Sequence, residues 1–375
     1  MSLTIIPVRT EKQKREFIRL PYRLYRDNPN WVPPLIMEQK RLLNTAKHPF
    51  YKHAAIEMLL ATRNGSTVGR IAAVADDKFI DFHQERIGFF GFFECDLRGG
   101  GERARETTHA LLNAAEEWLR EKEMVEIRGP TSPSTNYECG TLVKGFDSPP
   151  VIMMPYNPPE YPQLIESAGF EKGRDLISYI FDLPDMPEKA YRVSRICERR
   201  GYLLRPVNMK RFEQEAETML GIYNSAWEKN WGFVPMSDEE FMEMAAQMKQ
   251  IVVPDLILMA EHRGKIVGFS IGLPDINIIL KRMNGRLFPF GLFKFILGFR
   301  RINLARILVL GVAKEHRRQG IDAMMTIRSF IEGHKHGYFK GDFGWILDDN
   351  EVTNNLMLGF GSRPYKRFRI YRKPL

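Results

Sequence analysis

The sequence predicts an α/β fold with mixed sheets of the α+β kind, present as two tandem copies. Three observations predict it: an internal repeat, a strand–turn–helix unit with a basic glycine turn, and a length of 375 residues, enough for two cores. Residues 58–69 read as strand, turn, strand, and residues 257–268 match them without a gap. Ala61 coincides with Ala260, Gly65 with Gly264, Val68 with Val267 and Gly69 with Gly268. A second echo closes each half. Gly169-Phe170 precedes a strand-like run at 176–181, and Gly359-Phe360 precedes another at 368–371. Apolar residues recur at helical spacing between the echoes, over 106–120 and 321–334. One unit used twice explains both echoes. Pro184, Asp185, Met186 and Pro187 read as the linker, so the expected domains are 1–184 and 185–375.

Composition narrows the function classes. Hydrophobic residues make up 44% and charged residues 27%, a globular balance. The net charge of +9 attracts polyanions, but the basic residues are scattered and no nucleic-acid motif occurs, so no nucleic-acid partner is expected. The three cysteines, Cys95, Cys139 and Cys197, have neither metal-ligand spacing nor a disulfide pattern. A reducing compartment and no metal are expected. The first residues lack an apolar signal core, and no stretch reaches the ~20 apolar residues of a membrane span. A cytoplasmic placement is therefore expected.

The strongest local signal is the turn at 312–321. It follows the apolar run 307–310 and precedes a helical pattern from Ala323. Such a turn aims backbone N–H groups at an anion, and the helix N-terminus adds its positive dipole end. Leu310 and Val312 lie at the strand end, and Arg317, Arg318, Gln319, Gly320 and Ile321 form the expected pyrophosphate cradle. Asp322 puts a carboxylate in the first helical turn. Either it points away from the turn or the bound anion sits slightly differently, and pairing with Arg318 is one way to blunt its charge. The first half has no equivalent: its glycine-rich run at 97–103 lacks the Arg-x-x-Gly spacing. The second half also carries an insertion, since Gly69 to Phe92 spans 23 positions and Gly268 to Leu310 spans 42. Within it, residues 280–301 are aromatic and aliphatic with basic flanks. That composition suits an anionic membrane interface or the wall of an apolar tunnel; the plainer alternative is a buried helix with snorkelling ends.

The turn resembles motif A of the GNAT acyltransferase superfamily. Val312, Glu315, Arg317, Gly320 and Ile321 match it, while Lys314, His316 and Asp322 depart from it. Asn350 and Asn354, followed by Gly359-Phe360, resemble the later asparagine and Gly-Phe of that superfamily. The tyrosine often found there is replaced by Leu356, Met357 and Leu358. Three further blocks resemble the bacterial ceramide synthase-like branch of GNAT proteins. They are Asp27-Asn28-Pro29-Asn30-Trp31-Val32-Pro33-Pro34, the polar stretch 129–140 with its continuation to 159, and Asn224-Ser225-Ala226-Trp227-Glu228-Lys229-Asn230-Trp231-Gly232-Phe233. The resemblance covers nearly the whole chain. It implies two tandem GNAT-like acyl-CoA N-acyltransferase domains, the first degenerate and structural or shaping the acceptor site. It implies acyl-CoA as co-substrate and amide formation with the amine of a sphingoid-type base.

Amide formation of this kind needs a base, because an alkyl ammonium of pKa ~10 must lose a proton before it attacks a thioester. Glu94, Glu138, Glu228 and Asp348 are the candidates. Glu138 is preferred because it lies in a polar, proline-bounded loop, with Asn136 and Tyr137 beside it to orient a substrate. Trp227, Trp231 and Phe233 are expected to line the acceptor channel, although aromatics at such spacing also serve as core. Asn354 joins the carrier-binding set. The alternative function, from a different class, is a non-catalytic module that binds acyl-CoA or anionic lipid; Asp322 and the missing tyrosine motivate it.

Overall fold

A computed structural model describes residues 2–287 and 291–375 and divides them into two compact units. The first contains Met1–Asp175, Leu280–Lys294 and Arg367–Leu375; the second contains Leu176–Ile279 and Phe295–Lys366. Both are mixed α/β units, as the repeat requires.

The first unit opens with β1 (Leu3–Pro7), α1 (Glu11–Leu24) and α2 (Ile36–Leu42). Thr10 starts α1 with a capping box: its hydroxyl accepts the Gln13 N–H while Gln13 returns the bond to the Thr10 N–H. The hairpin β2 (Ala54–Arg63) and β3 (Ser66–Asp76) follows, then α3 (Asp77–His83), β4 (Ile87–Cys95), α4 (Gly101–Glu121) and β5 (Glu126–Gly129). Three short strands, β6 (Thr131–Ser132), β7 (Glu138–Cys139) and β8 (Thr141–Lys144), lead to α5 (Tyr161–Ser167) and β9 (Glu171–Phe181). Sheet order is β1-β2-β3-β4-β5, antiparallel except for the parallel β4–β5 pair. The last strand, β15 (Arg363–Pro374), adds to β5 through residues 371–374. Leu111, Leu112, Ala115 and Leu119 of α4 pack on one face with Ile71, Ala73, Phe90 and Ile127. Phe17 and Ile18 of α1 pack with Leu60, Ala72 and Phe92. Alternation along β2, β3 and β4 thus feeds two faces.

The second unit repeats this plan with α6 (Glu188–Arg199), β10 (Tyr202–Pro206), α7 (Phe212–Trp227) and α8 (Asp238–Met248). The hairpin β11 (Ile257–His262) and β12 (Lys265–Pro274) leads to α9 (Asn277–Met283), α10 (Gly291–Phe299) and β13 (Leu304–Val312), with Leu280–Lys294 of this stretch belonging to the first unit. Then come α11 (Ile321–Lys335), β14 (Lys340–Leu347) and α12 (Glu351–Gly359). Sheet order from the Leu176–Phe181 part of β9 is β9-β14-β13-β12-β11-β10. The repeat extends to backbone irregularity. β2–β3 shifts register between Ala61 and Thr62, and β11–β12 shifts between Ala260 and Glu261, the equivalent position.

Each unit contains a fork. β4 and β5 pair in parallel only over Ile87–Phe89 and Glu126–Arg128. β13 and β14 pair only over Leu304–Ile307 and Lys340–Phe343. Beyond those points each pair diverges. At the second fork Arg306 and Asp342 are register partners, both fully buried, with Nε 3.3 Å from Oδ1. The Arg306 Nη2 also donates to Gly344 O at 2.8 Å, one residue past the last paired register. The Tyr365 hydroxyl donates to Asp342 Oδ2 at 2.6 Å. Burial outweighs these partners and pushes the Asp342 carboxyl up to about 6.

Removing one member of a buried pair leaves the other charge uncompensated. Arg306→Met is expected to destabilise the protein by roughly 3 kcal/mol or more. Adding Asp342→Asn should restore much of that loss, because the amide is neutral and still accepts the Tyr365 hydroxyl. Urea denaturation of the single and double variants checks this.

Candidate functional site

In the second unit the fork is open along β13. Ala313 N–H bonds to Val267 O at 2.8 Å, which directs residues 311 and 313 toward β12. Alternation then turns the backbone of Leu310 and Val312 to the other side, where β14 has already diverged. Both side chains are only partly buried. Gly311 is needed here because the Trp227 ring lies against the strand: a Cβ at 311 would meet Trp227 Cζ3 at 2.7 Å.

The strand runs into the turn. A single 3-10 turn, Lys314–His316, precedes Arg317, and α11 starts at Ile321. Gly320 is the helix N-cap with φ +87°, a left-handed conformation that suits glycine. Arg318 also has positive φ, at +62°. Arg317, although exposed, pins the turn, donating to Val312 O at 3.3 Å and to Ala226 O at 2.8 Å. Arg200 Nη1 holds Gln319 Oε1 at 3.0 Å. His316 is not a free turn residue: its Nδ1 is 3.0 Å from the Tyr202 hydroxyl, and its ring sits edge-on to Tyr202, which stacks on His262. Five consecutive N–H groups, Arg318 to Asp322, have no acceptor among the described residues. Together with the N-terminus of a 15-residue helix they form an anion cradle. The Asp322 carboxylate lies to one side, accepting the N–H of Ala323 at 2.9 Å. It also helps to raise the Cys197 thiol on α6, after burial, to about 11.

The first unit closes both features with its own chain. Ser132 of β6 supplies its Oγ to the Phe92 N–H at 3.0 Å, the bond an occupant of that fork would otherwise make. A side chain at Gly91 would overlap Thr131 O, so the strand and the plug require glycine there. Every residue of β4 is buried. The turn carries an internal anion: Asp96 accepts the Arg98 N–H at 3.0 Å and the guanidinium at 2.9 and 2.6 Å. Those side-chain bonds, against some burial, hold the Asp96 carboxyl below its ordinary value.

The sequence-derived site residues therefore separate. Leu310, Val312, Arg317, Arg318, Gln319, Gly320 and Ile321 form one continuous strand and turn. Trp227 ends α7 rather than following it, and packs 4.9 Å from Tyr223. Phe233 is buried against Tyr223 at 5.6 Å, and Trp231 is half-buried in the turn between them. Asn354 is held by protein: its Nδ2 donates to Leu347 O at 2.9 Å and its Oδ1 accepts the Tyr179 hydroxyl at 2.9 Å, tying α12 to β14 and β9. Asn350 caps α12 through the Thr353 N–H. Glu138, expected in a loop, is exposed on β7, paired with Ser132 of β6. Beside it the Tyr137 N–H bonds to Ser134 O and the Asn136 N–H to Ser134 Oγ.

Sequence reasoning weighed Glu94 but missed its surroundings. Its Oε2 accepts the Tyr25 hydroxyl at 2.6 Å and the Tyr161 hydroxyl at 2.9 Å, with Arg70 3.7 Å from Oε1. Burial raises its pKa against the opposing effect of Arg70 and the tyrosines. These partners lie 24 to 69 positions away in the chain, so no local motif reveals them.

No family model matches the chain. It is 34% identical over 382 residues to the bacterial ceramide synthase of Caulobacter vibrioides, covering 100% of this chain and 98% of that protein. It is also 34% identical over 379 residues to protein YghO of Escherichia coli, covering 98% and 95%. Among solved structures, a tandem GNAT protein from the clavulanic acid biosynthesis pathway superposes with a TM-score of 0.58 at 12% identity, covering 100% of this chain and 98% of that one. A GCN5-related N-acetyltransferase from Sphaerobacter thermophilus gives 0.56 at 14%, covering 99% and 95%. The fold is thus the tandem GNAT fold that the repeat and the turn imply.

Proposed function

The chain belongs to the bacterial ceramide synthase family of tandem GNAT proteins, and from that premise we propose that it transfers an acyl group from acyl-coenzyme A to the amine of a long-chain, sphingoid-type base. One observation carries the carrier assignment: the second fork is open beside five unbonded N–H groups, whereas the first is plugged by Ser132 and Asp96. In this reading the pyrophosphate lies on the N–H groups of Arg318 to Asp322. The amide-bearing arm runs along the free edge at Leu310 and Val312. A strand N–H there stabilises the oxyanion as the neutral amine adds to the thioester carbon. The C–N bond forms, the C–S bond breaks with its electron pair leaving on the coenzyme A thiolate, and the proton lost by the amine passes, directly or through water, to a base, the role proposed for Glu138. Asn136 and Tyr137 orient the acceptor, and Trp227, Trp231 and Phe233 face its alkyl chain. Asn354 acts indirectly, by holding α12 against the strand ends.

The insertion supplies the peripheral contact. Phe293, Ile296 and Leu297 of α10 share one helical face and are 68%, 62% and 73% exposed. Basic residues flank them at Arg282, Arg286, Lys294, Arg300 and Arg301, and no acid occurs between Asp275 and Glu315. Phe288, Pro289 and Phe290 of the predicted insertion lie outside the described residues. Among the described residues no helix is long and apolar enough to cross a membrane. An apolar face with a basic rim suits the surface of an anionic bilayer.

Calorimetry with coenzyme A tests the cradle. Gly320→Asp should weaken binding at least tenfold, about 1.4 kcal/mol, while Gly100→Asp in the first unit leaves it unchanged. Release of free thiol from acyl-coenzyme A with a long-chain amine tests the reaction, and Glu138→Gln should lower kcat roughly 100-fold. Absence of both thiol release and coenzyme A binding in the wild type overturns the reading. For the membrane contact, Phe293→Asp with Leu297→Asp should abolish co-sedimentation with anionic vesicles; unchanged sedimentation removes α10 from that role.

A further inference from the structure

A cavity of about 650 Å3 opens in the first unit, between α1, the loop that follows it, and residues 281–286. Five cationic side chains line it: Arg19, Arg23, Arg26, Lys281 and Arg286. No carboxylate does. Its wall is aromatic. Tyr25 stacks on Trp31 with ring centroids 5.1 Å apart, and Tyr22 meets Trp31 edge-on at 5.3 Å.

The cavity is built rather than accidental. Asn28 Oδ1 accepts the N–H groups of Asn30 and Trp31 at 2.8 and 3.1 Å, which fixes the loop that presents Trp31. The Tyr22 hydroxyl donates to Pro34 O, and the Ile36 N–H bonds to Gly285 O at 3.0 Å. Gly285 is required at that contact, since a side chain would run into the Tyr22 ring. Behind the wall the Tyr25 hydroxyl is anchored on buried Glu94. The rings are therefore locked before any ligand arrives.

The charges are unbalanced. Arg23 donates to the Thr67 carbonyl and helps, behind Arg98, to lower the Asp96 carboxyl, and Lys281 donates to the Pro29 carbonyl. Arg19, Arg26 and Arg286 have no hydrogen bond or ion pair from their side chains among the described residues. Like charges four apart on a helix, as at Arg19 and Arg23, repel. The C-terminal dipole end of α1 favours Arg23 but accounts for none of the other four. Five cations around one partly enclosed volume focus a positive potential into it.

We propose that this cavity is a second ligand site, which binds a phosphate-bearing organic anion. The guanidinium and ammonium groups hold the phosphate, with arginine forks suited to its oxygens. The Tyr25–Trp31 stack holds the adjoining planar or apolar part. An ammonium is repelled by the same field, so the cavity is not a seat for the amine of an acyl acceptor. The assignment does not depend on acyl transfer. Two sources supply this chemistry: a free organic phosphate and the headgroup of an anionic phospholipid.

The experiment uses the full chain and two probes, adenosine 5′-monophosphate in solution and phosphatidylcholine vesicles with or without phosphatidylglycerol. Binding is compared among the wild type, the double variant Arg19→Gln/Arg26→Gln, and a control, Lys12→Gln/Arg15→Gln. The control removes the same charge from exposed positions outside the cavity. The expected result is at least a tenfold loss for the cavity variant with one probe, and less than twofold for the control, at an unchanged melting temperature. Saturable loss with the nucleotide identifies a free organic phosphate, and loss confined to phosphatidylglycerol vesicles identifies a headgroup. Coenzyme A affinity should be unchanged in the cavity variant, which separates this outcome from failure of the cradle. No wild-type binding of either probe, unchanged binding in the cavity variant, or equal loss in both variants overturns the proposal.

Discussion

The second unit depends on two parallel strands that must be joined at one end and apart at the other. Arg306 meets both demands. Its guanidinium faces Asp342 where β13 and β14 are still in register and reaches Gly344 O after they have separated. A backbone carbonyl freed by the divergence would otherwise be buried without a donor. With that carbonyl satisfied inside the sheet, the strand edge at Leu310 and Val312 stays available to something that is not protein. A buried pair of this kind contributes little net stability of its own. Its value is geometric, because it fixes where the strands part.

The first unit shows what the same plan does without that vacancy. Its strands part at Phe89 and Arg128, and the chain after β5 folds back so that Ser132 takes the N–H of Phe92. Asp96 then serves as the anion of its own turn. Both closures are local, a hydroxyl on a strand N–H and a carboxylate on a turn N–H. By this route the chain itself pairs the N–H groups of Phe92 and Arg98 in the first unit. The unit keeps a different concavity, cationic and aromatic, made from α1, its following loop and a segment inserted far along the chain.

Much of the fold was legible in the sequence. The paired hairpins gave themselves away through Ala61/Ala260 and Gly69/Gly268, because the bulge after each alanine and the close packing at each glycine tolerate few alternatives. The strand, turn and helix at 304–335 were legible for the same reason: they are contiguous, and Gly320 marks the left-handed residue. His316 and Asn354 have partners that no local motif shows. Both residue types suit ligands, but here Tyr202 and Tyr179 occupy them, from positions more than a hundred residues away.

The sequence by itself determined the repeat and the succession of strand, glycine turn and helix at 304–335, since each is written in residues adjacent along the chain. Only the tertiary structure decided which groups are already satisfied. Whether an N–H is free, as at Arg318 to Asp322, or bonded, as at Phe92, depends on what the rest of the chain brings to it. The Glu94 cluster and the five-cation cavity belong to that second category. Their members are separated by tens to hundreds of residues, and charges collected from such distances leave no periodicity for a sequence pattern to detect.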